Sequence, residues 1–435
     1  MIRIAERGNP GYKMPVGSVS QGGWITVKGK HALAFIFVTA LLDSIGFGII
    51  MPVLPQLVME VTGESLASAA GYGGWLMFAY AFMQFFLAPV IGSVSDRFGR
   101  RPVLLLSLFV LGIDYLIMWW APTFAWLLIG RIIAGGAAST FSTCNAYIAD
   151  ISEPDKRAQN FGLIGAAFGM GFVIGPVVGG FLGEYGSRMP FLAAAALAFT
   201  NFLYGALVLP ESLSKDKRRA FDWRRANPTG TLAALKRYPM VFGLIGAYFL
   251  YQLGHHALPA TWSFFTIEKF DWSPKEIGYS LGVVGVLMVF VQAVLLRVAL
   301  PKLGTRRAAM IGFACCVVSF LGYAFASQAW MIYMFLVAGA MQGFVSPSMQ
   351  GIMSNQVPAS EQGELQGGLA SMSSLTSIIS PVFMTQLFAF FTGINAPAYF
   401  PGAPWLAAAI FTVLALALFL RATSTPGDER QSQPA

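Results

Sequence analysis

A chain of 435 residues that is 56% hydrophobic and only 11% charged, with a mean hydropathy of +0.64, has too little polar side chain to clothe a soluble core. Soluble domains carry about 25% charged residues, so most soluble enzymes are excluded at once. The formal charge of +8 could point to nucleic acid or an anionic surface, but in a membrane chain it records orientation. Cys144, Cys315 and Cys316 lie in apolar stretches. They are too few for a disulfide framework and lack zinc spacing, so they read as small packing residues, and no metal is expected.

Residues 1–30 hold Arg3, Arg7, Lys13, Lys28 and Lys30 among Gly, Pro and Ser, with no apolar core before Trp24. This reads as a basic cytosolic arm and not as a signal peptide. Apolar runs then follow at 31–58, 71–93, 102–120, 124–147, 159–183, 189–208, 241–267, 276–298, 308–326, 330–354, 363–391 and 403–421. Most have the length of a bilayer crossing, and they are too long and too little alternating for barrel strands. The expectation is an all-α membrane protein of twelve transmembrane helices with both termini cytosolic. The charge run KDKRRAFDWRR in 211–240 reads as a cytosolic linker between two six-helix bundles, 31–210 and 241–421, with a tail at 422–435.

On that topology the inner side holds 24 basic residues and the outer side three, Arg188, Lys269 and Lys275. Counting acids as well, the inner side carries +12, the outer side −3 and the membrane interior −1. The excess is an orientation signal and needs no nucleic acid.

Only Asp43, Asp114 and Arg131 are formal charges deep in the spans. Intramembrane charge is costly and marks function by default. Asp43 stands about 13 residues into the first span, near mid-membrane at about 1.5 Å per residue. The loop after the second span reads Gly92-Ser-Val-Ser-Asp96-Arg97-Phe-Gly99-Arg100-Arg101, and Asp150 ends the fourth span where it could pair with Arg100 across the inner mouth. A weaker echo, LPKLGTRRA, stands at 300–308 without the acid. In the fifth span Gly171, Gly175 and Gly179 are four apart and form a bare stripe, flanked by Gly162, Pro176 and Gly180. Such a stripe lets another helix approach closely, and Pro176 bends its own. His255 and His256, in YQLGHHALPATW, point to different faces of a seventh span that Gln252, Pro259 and Trp262 mark as broken and polar. Gln84, Gln292 and Gln342 are further candidates for a substrate cavity.

These motifs resemble the major facilitator superfamily. The 92–101 loop is its signature loop, and the glycine–proline pattern of the fifth span is similar to the antiporter motif of its drug/proton branch. The phrases MPVLP at 51–55, YAFMQ at 80–84, SDRFGRRPVLLLSL at 95–108, GRIIAGG at 130–136, IGPVVGG at 174–180 and QGELQG at 362–367 look most like the tetracycline-resistance-protein-like group. The resemblance spans 31–421 and implies functional roles for Asp43, Gln84, Asp96, Arg100, Asp114, Arg131 and Asp150. It implies that Asp43 exchanges a coupling proton, that Arg131 sets its affinity, and that Asp114 serves substrate or proton; a static buried ion pair is the alternative. One departure counts against tetracycline as substrate. The group's tetracycline carriers have an acid early in the ninth helix, for a drug that travels with a divalent cation, and this chain has Cys315-Cys316 there.

The expected function is proton-coupled efflux of an amphipathic small organic compound by alternating access. It needs no cofactor beyond the proton motive force. Its partners are the small-molecule substrate, protons and the lipid bilayer, and the protein is expected as a monomer in the inner membrane of a bacterium. A proton-coupled importer of a small nutrient is the second reading. A membrane-embedded enzyme is the third, and it lacks a nucleophile, base or metal constellation.

Overall fold

The computed structural model describes residues 22–137, 140–153, 156–218, 237–358 and 361–424. The N-terminal arm up to 21, most of the linker (219–236) and the tail from 425 lie outside the described residues. All regular secondary structure among the described residues is helical, without strands.

Among the described residues sixteen α-helices run in order: α1 Gly22–Ile50, α2 Leu54–Thr62, α3 Leu66–Phe98, α4 Arg100–Trp120, α5 Phe124–Ala137, α6 Thr140–Ile151, α7 Arg157–Gly183, α8 Met189–Val208, α9 Pro239–His255, α10 Ala257–Phe270, α11 Pro274–Phe290, α12 Leu296–Phe325, α13 Ala329–Ala340, α14 Val345–Asn355, α15 Gln362–Thr392 and α16 Ala403–Thr423. Ten stretches among the described residues are long and apolar enough to cross a membrane. One of them, Pro274–Phe325, has 52 residues, about 78 Å of helix against about 30 Å of bilayer core. It bends at Gly304, whose φ of 74° and ψ of 161° are not helical. The seventh apolar run is divided at His256 into helices of 17 and 14 residues. Neither half alone spans a membrane, which accounts for the run's absence from the ten.

The two halves repeat one plan. α1 and α2 meet at a turn over 51–53, as α9 and α10 meet at His256. Within the first half α1 packs on α7 and α4 on α8; within the second α9 and α12 pack on α16. Two long seams join the halves, α3 along α15 and α7 along α11.

The seams are closed at one end and open at the other. A Cβ added to Gly180 would come 3.0 Å from the Gly278 Cα, and one at Gly183 2.8 Å from Pro274 Cβ. A Cβ at Gly74 would come 3.2 Å from the Pro381 carbonyl oxygen. Ser263 donates to the Met51 carbonyl at 2.7 Å, and Lys275 N–H to Glu184 at 3.2 Å. At the opposite end, where the 92–101 loop lies, Gly162 and Gly165 face open space. A cavity of about 460 Å³ opens there between 81–89 of α3 and 370–377 of α15.

Candidate functional site

Helices α4 and α5 are antiparallel neighbours, and this brings Asp114 to Arg131. Asp114 is fully buried, and its carboxylate pairs with an Arg131 guanidinium that is 12% exposed. The guanidinium also lies 5.8 Å from the centre of the Tyr80 ring. The pair is incompletely satisfied. Asp114 Oδ1 and Arg131 Nε are buried with no hydrogen-bond partner among the described residues. Gly130 keeps the approach open, since a Cβ there would stand 2.8 Å from Asp114 Oδ1.

Asp43 is placed differently. It is half-buried on α1 and forms no hydrogen bond or ion pair with any described residue. One turn later the Tyr115 hydroxyl rests on the bare face of Gly46, so α4 carries Asp114 to Arg131 and its next residue to α1. Of the three membrane charges, two neutralise each other and Asp43 is left over.

The glycine stripe of α7 lies against the Asp43 helix. An added Cβ at Gly171 would come 2.7 Å from the Leu41 carbonyl oxygen, and one at Gly175 2.7 Å from that of Ile45. Gly179 abuts Ile49, and Pro176 fills the space over Gly48. Three of the stripe's glycines thus serve contact within the first half. Gly180 turns the other way and meets Gly278 of α11 across the halves. The sequence reading covers the stripe but not Gly278, whose signal is a second set of spaced glycines at 278, 282 and 285.

At the α3–α4 turn, Arg100 holds Asp96 at 2.6 Å and Asp150 at 3.2 Å. Ser95 bonds the Gly92 carbonyl at 2.9 Å, and Arg97 stacks over Phe98 at 5.2 Å. Arg101 reaches the Ala206 carbonyl at 2.7 Å. The centre of this network is a residue that reads in the sequence as part of the linker. Glu211 accepts from the backbone N–H of Arg100 at 2.8 Å and of Arg101 at 3.3 Å, so a carboxylate seals the N-terminus of α4. Its position directly after Pro210, facing an Arg pair, is the available signal. Gly99 has φ of 108°, and a Cβ there would come 2.7 Å from the Glu211 Cδ. Gly99→Ala is expected to destabilise the purified protein by about 1–3 kcal/mol of backbone strain. Adding Glu211→Ala removes the clash but not the strain, so thermal melts of both variants should fall below wild type.

The second half presents a different chemistry. His255 Nδ1 lies 2.9 Å from Gln342 Oε1, and His256 Nε2 3.1 Å from Ser377 Oγ. Tyr248 and Gln252 both reach Ser373, at 3.1 and 3.4 Å. Gln84 lines the cavity opposite Ser373 and Ser377. Gln292 is exposed and sits in a π-helical turn, Val291–Leu295. Trp262 does not line the cavity. It is fully buried, donates to Ser280 at 2.9 Å and packs edge-on against Tyr323 and Trp405. Arg237 pairs with Glu361 and Glu364 at 2.7 and 2.9 Å, tying the start of α9 to α15. Glu361 also accepts from Tyr238, which raises that phenol above its ordinary pKa. No group of three His, Cys, Asp or Glu among the described residues could hold a metal ion.

The family model of the Major Facilitator Superfamily matches residues 36–381 and 302–435. The tetracycline resistance protein, class C, of Escherichia coli is 39% identical over 404 residues, 92% of this chain and all of that protein. The class H protein of Pasteurella multocida is 36% identical over 91% of this chain and 98% of its own length. Among solved structures, the nucleoside transporter NupG superposes with a TM-score of 0.73 at 14% identity, over 91% of this chain and 99% of that one; that likeness concerns the fold alone. A family match over most of the chain, together with relatives above 30% identity along nearly their whole length, is enough to decide the matter: the chain is a multi-pass membrane protein and secondary transporter, not an enzyme, and it belongs to the tetracycline-resistance-protein-like group of the major facilitator superfamily.

Proposed function

We propose that this transporter is a proton-coupled efflux antiporter that exports an amphipathic organic compound, a drug, antibiotic or metabolite, by alternating access. The observation that carries the reading is the surplus of one acid in the membrane. Asp114 and Arg131 answer each other, while Asp43 has no partner among the described residues. An unpartnered carboxylate there bears a charge the membrane tolerates only at a cost, and taking up a proton removes it. Asp43 lies on the helix that the α7 glycine stripe grips, and α7 also forms the closed seam with α11. Protonation at Asp43 therefore acts on the element whose movement opens that seam.

The relatives' names support a drug as cargo. Tetracycline itself is disfavoured by the absence of an acid from the ninth span. The excess of 24 basic residues on one side supports twelve crossings with both termini cytosolic, and the bend at Gly304 supplies the extra crossing inside the 52-residue stretch. On that orientation the cavity opens to the cytosol. The transporter works as a monomer in the inner membrane of a bacterium, driven by the proton motive force without a cofactor.

The test uses inside-out membrane vesicles whose lumen has been acidified by respiration. Adding an exported compound should raise the luminal pH, seen as recovery of quenched acridine orange fluorescence, and a protonophore should abolish uptake. A fall in luminal pH, or uptake that ignores the protonophore, would rule out antiport. Nothing in the geometry favours nutrient import.

A further inference from the structure

The membrane portion of the second half carries no formal charge. No Asp, Glu, Lys or Arg occurs in 239–267, 277–296, 308–360 or 365–420. All three membrane charges belong to the first half. Four serines of the second half, Ser371, Ser373, Ser374 and Ser377, nevertheless stand together on the α15 wall of the cavity. Ser373 and Ser377 stand one turn apart on α15 and both line the cavity. Ser377 donates back to the Ser373 carbonyl at 2.8 Å, which leaves its oxygen to accept from His256 Nε2 at 3.1 Å. Tyr248 and Gln252 support Ser373 from behind. Facing these serines across the cavity are Gln84, Phe85, Phe86 and Pro89 of α3.

We propose that this cavity holds the exported compound by an uncharged, hydrogen-bonding head, with its apolar body against Phe85, Phe86 and Pro89 and with no divalent cation bound to it. This rests on the efflux reading and names the substrate class. Hydroxyl and amide groups both donate and accept, so the serines and Gln84 suit alcohols, amides and carbonyls. A hard dication asks for several oxygen ligands with anionic charge among them, and this wall supplies none. A cationic head would also sit uncompensated against it. The volume of about 460 Å³ is that of a drug-sized site. The deeper position beyond His255 is closed to a metal chelate as well. There Gln342 is 8% exposed, and its amide faces His255 on one side and the Met288 sulfur, at 4.0 Å, on the other. The cargo thus lies between the halves with its polar head on the second, while the surplus acid, Asp43, belongs to the first.

Equilibrium dialysis of the purified full-length protein tests this with three radiolabelled probes. Chloramphenicol is a neutral amide-diol with an aromatic body, tetraphenylphosphonium a permanent cation, and tetracycline is used with Mg²⁺ or with EDTA. Chloramphenicol should bind without regard to EDTA. Ser373→Ala and Ser377→Ala, which remove only a hydroxyl, should each weaken it by about five- to tenfold, the effect of one lost hydrogen bond. Tetracycline binding that survives EDTA would agree with a metal-free site. Failure of chloramphenicol to bind, tighter binding of tetraphenylphosphonium, tetracycline binding that needs Mg²⁺, or full affinity in both serine variants would each overturn the proposal. The vesicle assay separates the two readings. A luminal pH rise driven by tetraphenylphosphonium, with no binding of chloramphenicol, keeps antiport and removes the neutral site.

Discussion

Arg131→Ala is expected to cost about 3–5 kcal/mol of stability, the usual consequence of leaving one member of a buried ion pair alone. The expectation follows from how little Asp114 has besides Arg131. Its side chain is fully buried, and its Oδ1 already lacks a partner among the described residues. It is hemmed in on the α5 side, where even a Cβ at Gly130 would collide with it. Pairing Arg131→Ala with Asp114→Asn removes the stranded charge, and the double variant should melt closer to wild type than Arg131→Ala alone. Thermal unfolding of the three proteins in detergent, read by loss of the monodisperse peak on gel filtration, gives the comparison. An Arg131→Ala variant as stable as wild type would show that the two charges do not depend on each other.

The helices are legible in the sequence because a bilayer allows so few alternatives. Long apolar runs punctuated by charge can only be spanning helices. The fold class and most helix limits therefore need no side-chain geometry. What the runs do not show is how a span is interrupted. The turn at 51–53 lies inside an apolar run and is marked only by the nearby Pro52, whereas Gln252 and Pro259 mark the seventh span as broken without placing its division at His256. Between the eighth and ninth runs, where the sequence reads as a short loop, the chain turns at one non-helical residue, Gly304. For the site, composition singles out Asp43, Asp114 and Arg131 because charge is so rare there. It leaves open which acid the arginine takes, since that choice depends on α4 and α5 being neighbours. Facing is the least legible property. Trp262 stands among polar residues in the sequence, yet its indole turns toward Trp405 and Ser280. His255 and His256 diverge as adjacent helical residues must, and the structure shows where each goes: one meets Gln342 and the other α15. Glu211 escapes a sequence reading because a lone acid beside a basic run looks like solvated linker, whereas its oxygens lie on the α4 N-terminus.

Asp43→Asn is expected to leave stability nearly unchanged and to abolish proton-driven transport. The two parts come from the same observation. Asp43 has no hydrogen bond or ion pair to a described residue, so replacing one oxygen by an amide strands nothing. Asp114→Asn makes the contrast, because it leaves the Arg131 guanidinium buried without a counter-charge and should lower the melting temperature clearly. In energised inside-out vesicles, Asp43→Asn should show no luminal pH rise on addition of compound and no accumulation above the protonophore control. The amide is permanently uncharged and has no proton to give up on the other side of the membrane. Asp43→Glu keeps the carboxyl group and should restore part of the signal, which an effect on shape alone would not do. Should Asp43→Asn destabilise the protein as much as Asp114→Asn, Asp43 is held by a partner and is not the surplus acid. Should it transport against a gradient at the wild-type rate, the proton travels on another group. If the contrast holds, the net −1 of the membrane interior is mobile: Asp114 and Arg131 hold the first half together, and the charge that comes and goes belongs to Asp43.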